Sequence, residues 1–230
     1  MTTSDIGARV EEVRDRITRA ALESGRAAHE ITLVAVAKTF PADMVAAAVR
    51  AGCIDIGENR AQELKQKAAV LHALDIRWHF VGPLQSNKVR LVVGTAALIH
   101  SVDRPGLGAA IARRAEALGI TQDVLVEVNV GGEPGKAGVE PRGAAPLARA
   151  LEHMDGLAVR GVMAIPPLDP DPEEQAEAFR SVALVGAEVA AEVPGANHLS
   201  MGMSRDFEIA IGQGATIVRI GEAIFGPRTG

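Results

Sequence analysis

The spacing of apolar positions along this chain changes in a regular order. Near the start, Ile6, Val10, Val13 and Ile17 recur at intervals of four, three and four, which predicts an amphipathic helix. After it, short apolar runs alternate with helical stretches. The runs have cores at 33–37, 54–56, 78–81, 97–100, 124–128, 159–165, 198–200 and 217–220. Helices are predicted over 42–50, 61–71, 107–118, 146–153 and 173–192, with shorter pieces at 86–93 and 206–211. Pro41 suits a helix start and Gly119 a helix end. Most runs are continuously apolar, as strands buried on both faces are, and this predicts a parallel sheet covered by helices.

Eight such units in roughly 200 residues fit a closed barrel near its minimum size. The expected fold is therefore α/β, a single (β/α)8 TIM barrel domain over 1–230, with an extra helix within 1–30. An open doubly wound sheet is the rival. Its first βα turn usually carries a glycine fingerprint, and Lys38-Thr39-Phe40-Pro41 contains no glycine. The proline-rich, acidic stretch at 166–172 reads as an exposed loop of the barrel and is too short for an interdomain linker.

Composition narrows the functions. The 230 residues are 47% hydrophobic and carry a net charge of −5, so no basic field favours nucleic acid. No apolar run approaches the ~18 residues that would suggest a membrane span, and the first residues lack the pattern of a signal peptide. Cys53 is the only cysteine and follows Gly52 at the head of an apolar run, which reads as a buried, inert thiol in a reducing compartment. A soluble, cytoplasmic protein is expected. The six histidines show no close metal-ligating pair, and no nucleophile elbow or Walker loop is present, so no metal is expected. His79, between Trp78 and Phe80, reads as a hydrogen-bonded core histidine.

Barrel chemistry gathers where strands end. The first strand ends at Lys38, whose amine can form a Schiff base with an aldehyde, as arginine cannot. The loops after strands seven and eight, where barrels often bind phosphate, offer Ser200-Met201-Gly202-Met203-Ser204 and Gly221-Glu222. The same residues also fit plain roles, with glycines making turns and Ser204 capping the next helix. Arg219 precedes Gly221 by two residues and shares its strand face. Pointed inward, its guanidinium needs a partner, either a carboxylate such as Glu222 or Glu58, or a bound pyridine nitrogen. Asn59 either caps the second barrel helix, having capping-box spacing to Gln62, or reaches a ligand beside Lys38.

Six stretches together resemble the pyridoxal phosphate homeostasis protein family. They are Ala35-Val36-Ala37-Lys38-Thr39, Gly57-Glu58-Asn59, Trp78-His79-Phe80-Val81-Gly82-Pro83-Leu84-Gln85-Ser86-Asn87-Lys88, Met163-Ala164-Ile165, Leu199-Ser200-Met201-Gly202-Met203-Ser204 and Val218-Arg219-Ile220-Gly221-Glu222-Ala223-Ile224-Phe225-Gly226. They occur in the family's order from about residue 30 to 228. The resemblance implies a barrel like the N-terminal domain of alanine racemase that binds pyridoxal 5′-phosphate. It implies Lys38 as the aldimine lysine and Arg219 as the ring-nitrogen partner. Ser200, Gly202, Ser204, Gly221 and Glu222 fall in the phosphate-binding stretch, and Asn59 and Met201 look like neighbours of the ring. Family members bind the cofactor without a well-defined turnover and store or deliver it, which makes apo-enzymes that use it the implied partners. Arg60 departs from the aromatic residue often found there.

An amino-acid racemase on the same barrel is the rival function. It needs a second acid or base on the other face of its substrate, a tyrosine in alanine racemase, and this chain has no tyrosine. A lysine-dependent aldolase acting on a sugar phosphate is a third reading, against which Arg219 and the resemblance argue. No exposed apolar stripe stands out, so a monomer or weak homodimer is expected.

Overall fold

Eight parallel strands close on themselves in the order β1 to β8, with β8 returning to pair with β1. The computed structural model describes residues 3–132, 135–167 and 171–227. Glu133 and Pro134 of the loop after the fifth strand, and residues 168–170 of the acidic proline loop, lie outside the described residues. The strands are β1 (Thr32–Val36), β2 (Asp55–Glu58), β3 (Arg77–Phe80), β4 (Ala96–Val102), β5 (Gln122–Val128), β6 (Leu157–Ala164), β7 (His198–Ser200) and β8 (Ile217–Ile220). Between them run α2 (Ala42–Arg50), α3 (Ala61–Val70), α4 (Val89–Val92), α5 (Pro105–Leu118), α6 (Ala144–Glu152), α7 (Pro172–Glu192) and α8 (Phe207–Gly212); α9 (Glu222–Phe225) follows β8. The predicted barrel and its element order are thus observed.

Two layers of side chains fill the molecule. Outward-facing strand residues such as Ile56, Phe80, Ile99 and Val126 pack against the helices in one large buried cluster. A smaller apolar set, Val34, Val36, Leu98, Leu125, Met163 and Ile217, fills the barrel interior. Polar residues share that interior, and they determine the site described below.

The first helix, α1 (Thr3–Glu23), packs against α2 on one side and α8 and α9 on the other, across the seam where β8 meets β1. Ile6, Val10, Val13 and Ile17 form its buried stripe, as their spacing predicts. Each such side chain taken from water contributes about 1.5–3 kcal/mol. Arg16 adds an ion pair to Glu208 at 2.6 Å and lies 4.6 Å above the centre of the Phe207 ring. Among the described residues, no helix is long and apolar enough to cross a membrane.

β2 departs from its predicted limits. The apolar run suggests a strand over 54–56, whereas the strand is Asp55–Glu58. Asp55, Gly57 and Glu58 look like strand breakers, but every one of the four residues is buried. Gly57 faces inward, where a side chain would press on Val34 and Val36, and Glu58 faces the helix layer. The piece predicted at 86–93 resolves into a 3-10 turn, Ser86–Lys88, followed by α4.

Candidate functional site

Lys38 follows β1 by two residues and is half-buried. The chain around it is tightly specified. Ala37 N–H donates to the Gly57 carbonyl at 2.9 Å. The Ala37 carbonyl accepts from Phe40 N–H at 3.1 Å and from the Lys67 ammonium at 2.9 Å. Thr39 has φ of +70°, the one non-glycine residue with positive φ among the described residues. A β-branched residue there is a true outlier, and such strain persists only where the surroundings impose it. Here the Thr39 N–H donates to Glu63 Oε2 at 3.1 Å, while Phe40 stacks on Phe225 with ring centres 5.2 Å apart. Relief of the strain by Thr39→Gly is expected to raise stability by about 1 kcal/mol, read from urea unfolding, at the cost of a looser Lys38.

Lys67 was not legible as a site residue. It projects from α3 into the strand-helix layer with only 9% exposure. Besides the Ala37 carbonyl it bonds Glu58 Oε1 at 2.5 Å, with Glu63 Oε2 at 3.7 Å. Burial pushes the Glu58 carboxyl above its ordinary pKa, and the Lys67 ammonium pulls it back only in part. One signal was available, since Lys67 falls three residues after Leu64 on the buried stripe of α3.

Asn59 does not cap α3. The N-cap is Arg60, and the helix start has no side-chain cap bond. The Asn59 amide is left with its Oδ1 buried and without a protein partner. Gly82, after β3, presses on it, since a Cβ there would lie 2.3 Å from the Asn59 carbonyl oxygen. An unsatisfied buried amide oxygen is costly unless a donor meets it, so the Asn59 side chain is open to a hydrogen-bond donor.

Strands β7 and β8 bring the remaining residues together. Arg219 is 5% exposed on the inner face of β8. Its Nη1 donates to Ser200 Oγ at 2.7 Å and its Nη2 to the Ala164 carbonyl at 3.0 Å. Neither Glu222 nor Glu58 is its partner. Glu222 is exposed at the start of α9, and Glu58 is held by Lys67. Burial lowers the Arg219 pKa to about 10, opposed by Asp206 and Glu127, and it remains a cation at neutral pH. A guanidinium carries five N–H groups, and these two bonds leave others for a neutral acceptor.

Ser200 was read as part of a phosphate stretch. Its hydroxyl instead turns into the barrel interior, between Arg219 and His100. Met201 behind it is fully buried. Gly202, with φ of +91°, admits no side chain, since a Cβ would lie 2.6 Å from that of Ala210 and 2.9 Å from the Phe207 Cα. Its carbonyl accepts from the Arg219 N–H at 3.0 Å, which locks the two loops in register. Ser204 does not cap α8. Its hydroxyl accepts from Ala223 N–H of α9 at 3.3 Å, while Asp206 accepts from Met203 N–H. Gly221 opens α9 with its Cα close to the Val36 carbonyl, which a Cβ would meet at 3.1 Å. These loops converge at the C-terminal mouth of the barrel, on the side of Lys38.

Glu127 was also missed. It lies two residues beyond Leu125 on the inner face of β5, 8% exposed, and its carboxyl group makes no hydrogen bond or ion pair among the described residues. Burial first, then Asp103, raises its carboxyl pKa to about 7, with Arg219 opposing. Away from the mouth, Cys53 is buried, and burial pushes its thiol to about 11, the inert state expected of it.

Comparison with known proteins finds relatives over nearly the whole chain. Residues 14–229 match the family model described as alanine racemase, N-terminal domain. A pyridoxal phosphate homeostasis protein of Aquifex aeolicus is 43% identical over 221 residues, covering 96% of this chain and 97% of the relative. The protein of that name from Escherichia coli is 40% identical over 228 residues, covering 98% and 97%. The structure of PipY from Synechococcus elongatus with PLP bound superposes with a TM-score of 0.85 at 33% identity, covering 96% of this chain and all of that one.

Proposed function

This chain belongs to the pyridoxal phosphate homeostasis protein family, and from that premise we propose that it binds pyridoxal 5′-phosphate reversibly at the barrel mouth for vitamin B6 homeostasis. The observation that carries this reading is Arg219, a buried cation whose guanidinium bonds, among the described residues, only a hydroxyl and a carbonyl. A guanidinium so placed suits a neutral ring nitrogen, to which it donates without surrendering a proton. When bound, the cofactor supplies an aldehyde, an aromatic ring with an acceptor nitrogen, and a phosphate.

Each residue then has a task. Lys38 offers its amine to the aldehyde, held by the strained Thr39 turn. Arg219 meets the ring nitrogen. Asn59 brings its unsatisfied amide to the ring's polar edge, and Met201 backs the ring. The phosphate falls to the loops of Gly202, Ser204, Gly221 and Glu222. Ser200 contributes through Arg219. Charge-assisted hydrogen bonds to a phosphate contribute about 1.5–3 kcal/mol each, so the loops retain some affinity without the amine.

The protein acts as a holder of the cofactor, with apo-enzymes as its recipients, and no efficient turnover accompanies binding. The absence of tyrosine from the chain supports this over a racemase.

A visible absorption band from the bound cofactor, fixed to Lys38 by borohydride, is the expected result. Lys38→Ala is expected to abolish the fixation while equilibrium dialysis still detects bound cofactor. A colourless wild-type protein that cannot be reduced onto Lys38 overturns the reading. Sustained racemisation of alanine would replace it with the enzyme alternative.

A further inference from the structure

Arg219 stands at one end of a continuous hydrogen-bonded chain that crosses the barrel interior. Its Nη1 donates to Ser200 Oγ at 2.7 Å. Ser200 Oγ lies 2.9 Å from His100 Nδ1, His100 Nε2 lies 2.9 Å from His79 Nδ1, and His79 Nε2 lies 2.9 Å from Asp55 Oδ1. Arg77 closes the far end with two bonds to the Asp55 carboxylate, at 2.8 and 2.6 Å. The members come from β8, β7, β4, β3 and β2, and all but Arg77 are buried. Asp55 and Arg77 begin their strands, so they lie at the N-terminal face, opposite the mouth. The Arg77 side chain is 57% exposed there.

The donors and acceptors available limit the proton positions. Burial opposes ionisation of Asp55, but the bonds from His79 and Arg77 prevail and hold its pKa below the ordinary value. As a carboxylate it can only accept, so His79 Nε2 carries a proton. In the arrangement proposed below, His79 accepts at Nδ1 and His100 donates from Nε2, 2.9 Å away. Burial, then His79 and Arg219, drive the His100 pKa far down, so His100 is neutral and its Nδ1 is bare. Ser200 therefore donates to His100 and receives from Arg219. From Arg219 to His79 every link is then filled once, and each donor points toward Asp55, which Arg77 meets from the other side. Such aligned chains polarise one another in a low-dielectric interior.

We propose that Ser200, His100, His79 and Asp55 are positioning residues, a one-way donor chain that orients Arg219 and couples the cofactor site to the opposite face of the barrel. The proposal rests on Arg219 being the ring-nitrogen partner. It assigns Asp55 as the terminal acceptor of the chain, three side chains away from the buried guanidinium.

Nitrogen-15 NMR of the histidine rings in the full-length protein tests it. Without cofactor, both His79 and His100 are expected in the Nε2–H form with bare Nδ1. Asp55→Asn removes the obligate acceptor and is expected to mix the two tautomers at His79. Added pyridoxal 5′-phosphate is expected to shift both ring signals. Ser200→Ala is expected to abolish that shift, and Ser200→Thr to restore it. A protonated His100 Nδ1 in the wild type, tautomers unmoved by Asp55→Asn, or a cofactor response that survives Ser200→Ala overturns the chain. Because the tautomers are read without cofactor, they decide the chain even if the protein fails to bind pyridoxal 5′-phosphate, a failure that would sink the functional reading alone.

Discussion

Lys67→Met is expected to destabilise the protein by about 3–5 kcal/mol, the usual penalty for removing one partner of a buried ion pair. Glu58 has no exposed surface, and its Oε2 already lacks a partner. Without Lys67 it can neither keep its charge cheaply nor find another donor, so it takes up a proton. The Ala37 carbonyl loses a bond as well, and with it one of the restraints beside Lys38. Chemical unfolding of three proteins checks the argument. The single variant should lose several kcal/mol. The double variant Glu58→Met/Lys67→Met should recover most of the loss, since well-packed apolar pairs often match the ion pair they replace. A single variant costing under about 1 kcal/mol would mean that the pair contributes little.

Glu127→Gln is expected to act in the opposite direction, and only above mildly acidic pH. The native carboxyl titrates near 7 and the unfolded one near its ordinary value of 4.5. Between those values the native state holds a proton that the unfolded state has released. Wild-type stability therefore falls as pH rises through this window, and above it the native state bears the full penalty of a buried, unpaired carboxylate. A difference of this size corresponds to about 3 kcal/mol. The glutamine variant should be the more stable by up to that amount at pH 8, and the two proteins should converge toward pH 4.5. Loss of a negative neighbour for Arg219 trims the gain. The difference between the two unfolding curves isolates Glu127 from Glu58 and Asp206, whose carboxyls are also raised by burial. Parallel pH profiles would show that Glu127 finds a partner in solution.

Both of these residues escaped a reading of the sequence, and the reason is common to them. Apolar periodicity reports which positions are buried, and it gave the eight strands, most of the helices and the exits carrying Lys38 and Arg219. It does not report what a buried polar side chain bonds to. Glu127 sits inside an apolar run and Lys67 on an apolar stripe. Ser200, His100, His79 and Asp55 are scattered over nearly 150 positions and meet only once the barrel has closed. Local rules misled where tertiary contacts were decisive. Asn59 has the spacing of a cap, yet the chain turns one residue later. Ser204 precedes α8, yet its hydroxyl serves α9. The family resemblance supplied what periodicity could not, namely the tasks of residues at the mouth.

The position of α1 across the β8–β1 seam bears on how the chain is made. This helix precedes all eight strands in the chain, but α8 and α9, which it packs against beside α2, come only with the last two strands, and β1 likewise waits for β8. Contacts spanning nearly the whole sequence carry the largest loop-closure cost and form late. Through most of synthesis the Ile6–Val10–Val13–Ile17 stripe and one edge of the nascent sheet thus lack their final partners, a state open to aggregation. Closure of the barrel has to wait for its eighth strand, and a cofactor site built from β1 and β8 is among the last parts to form.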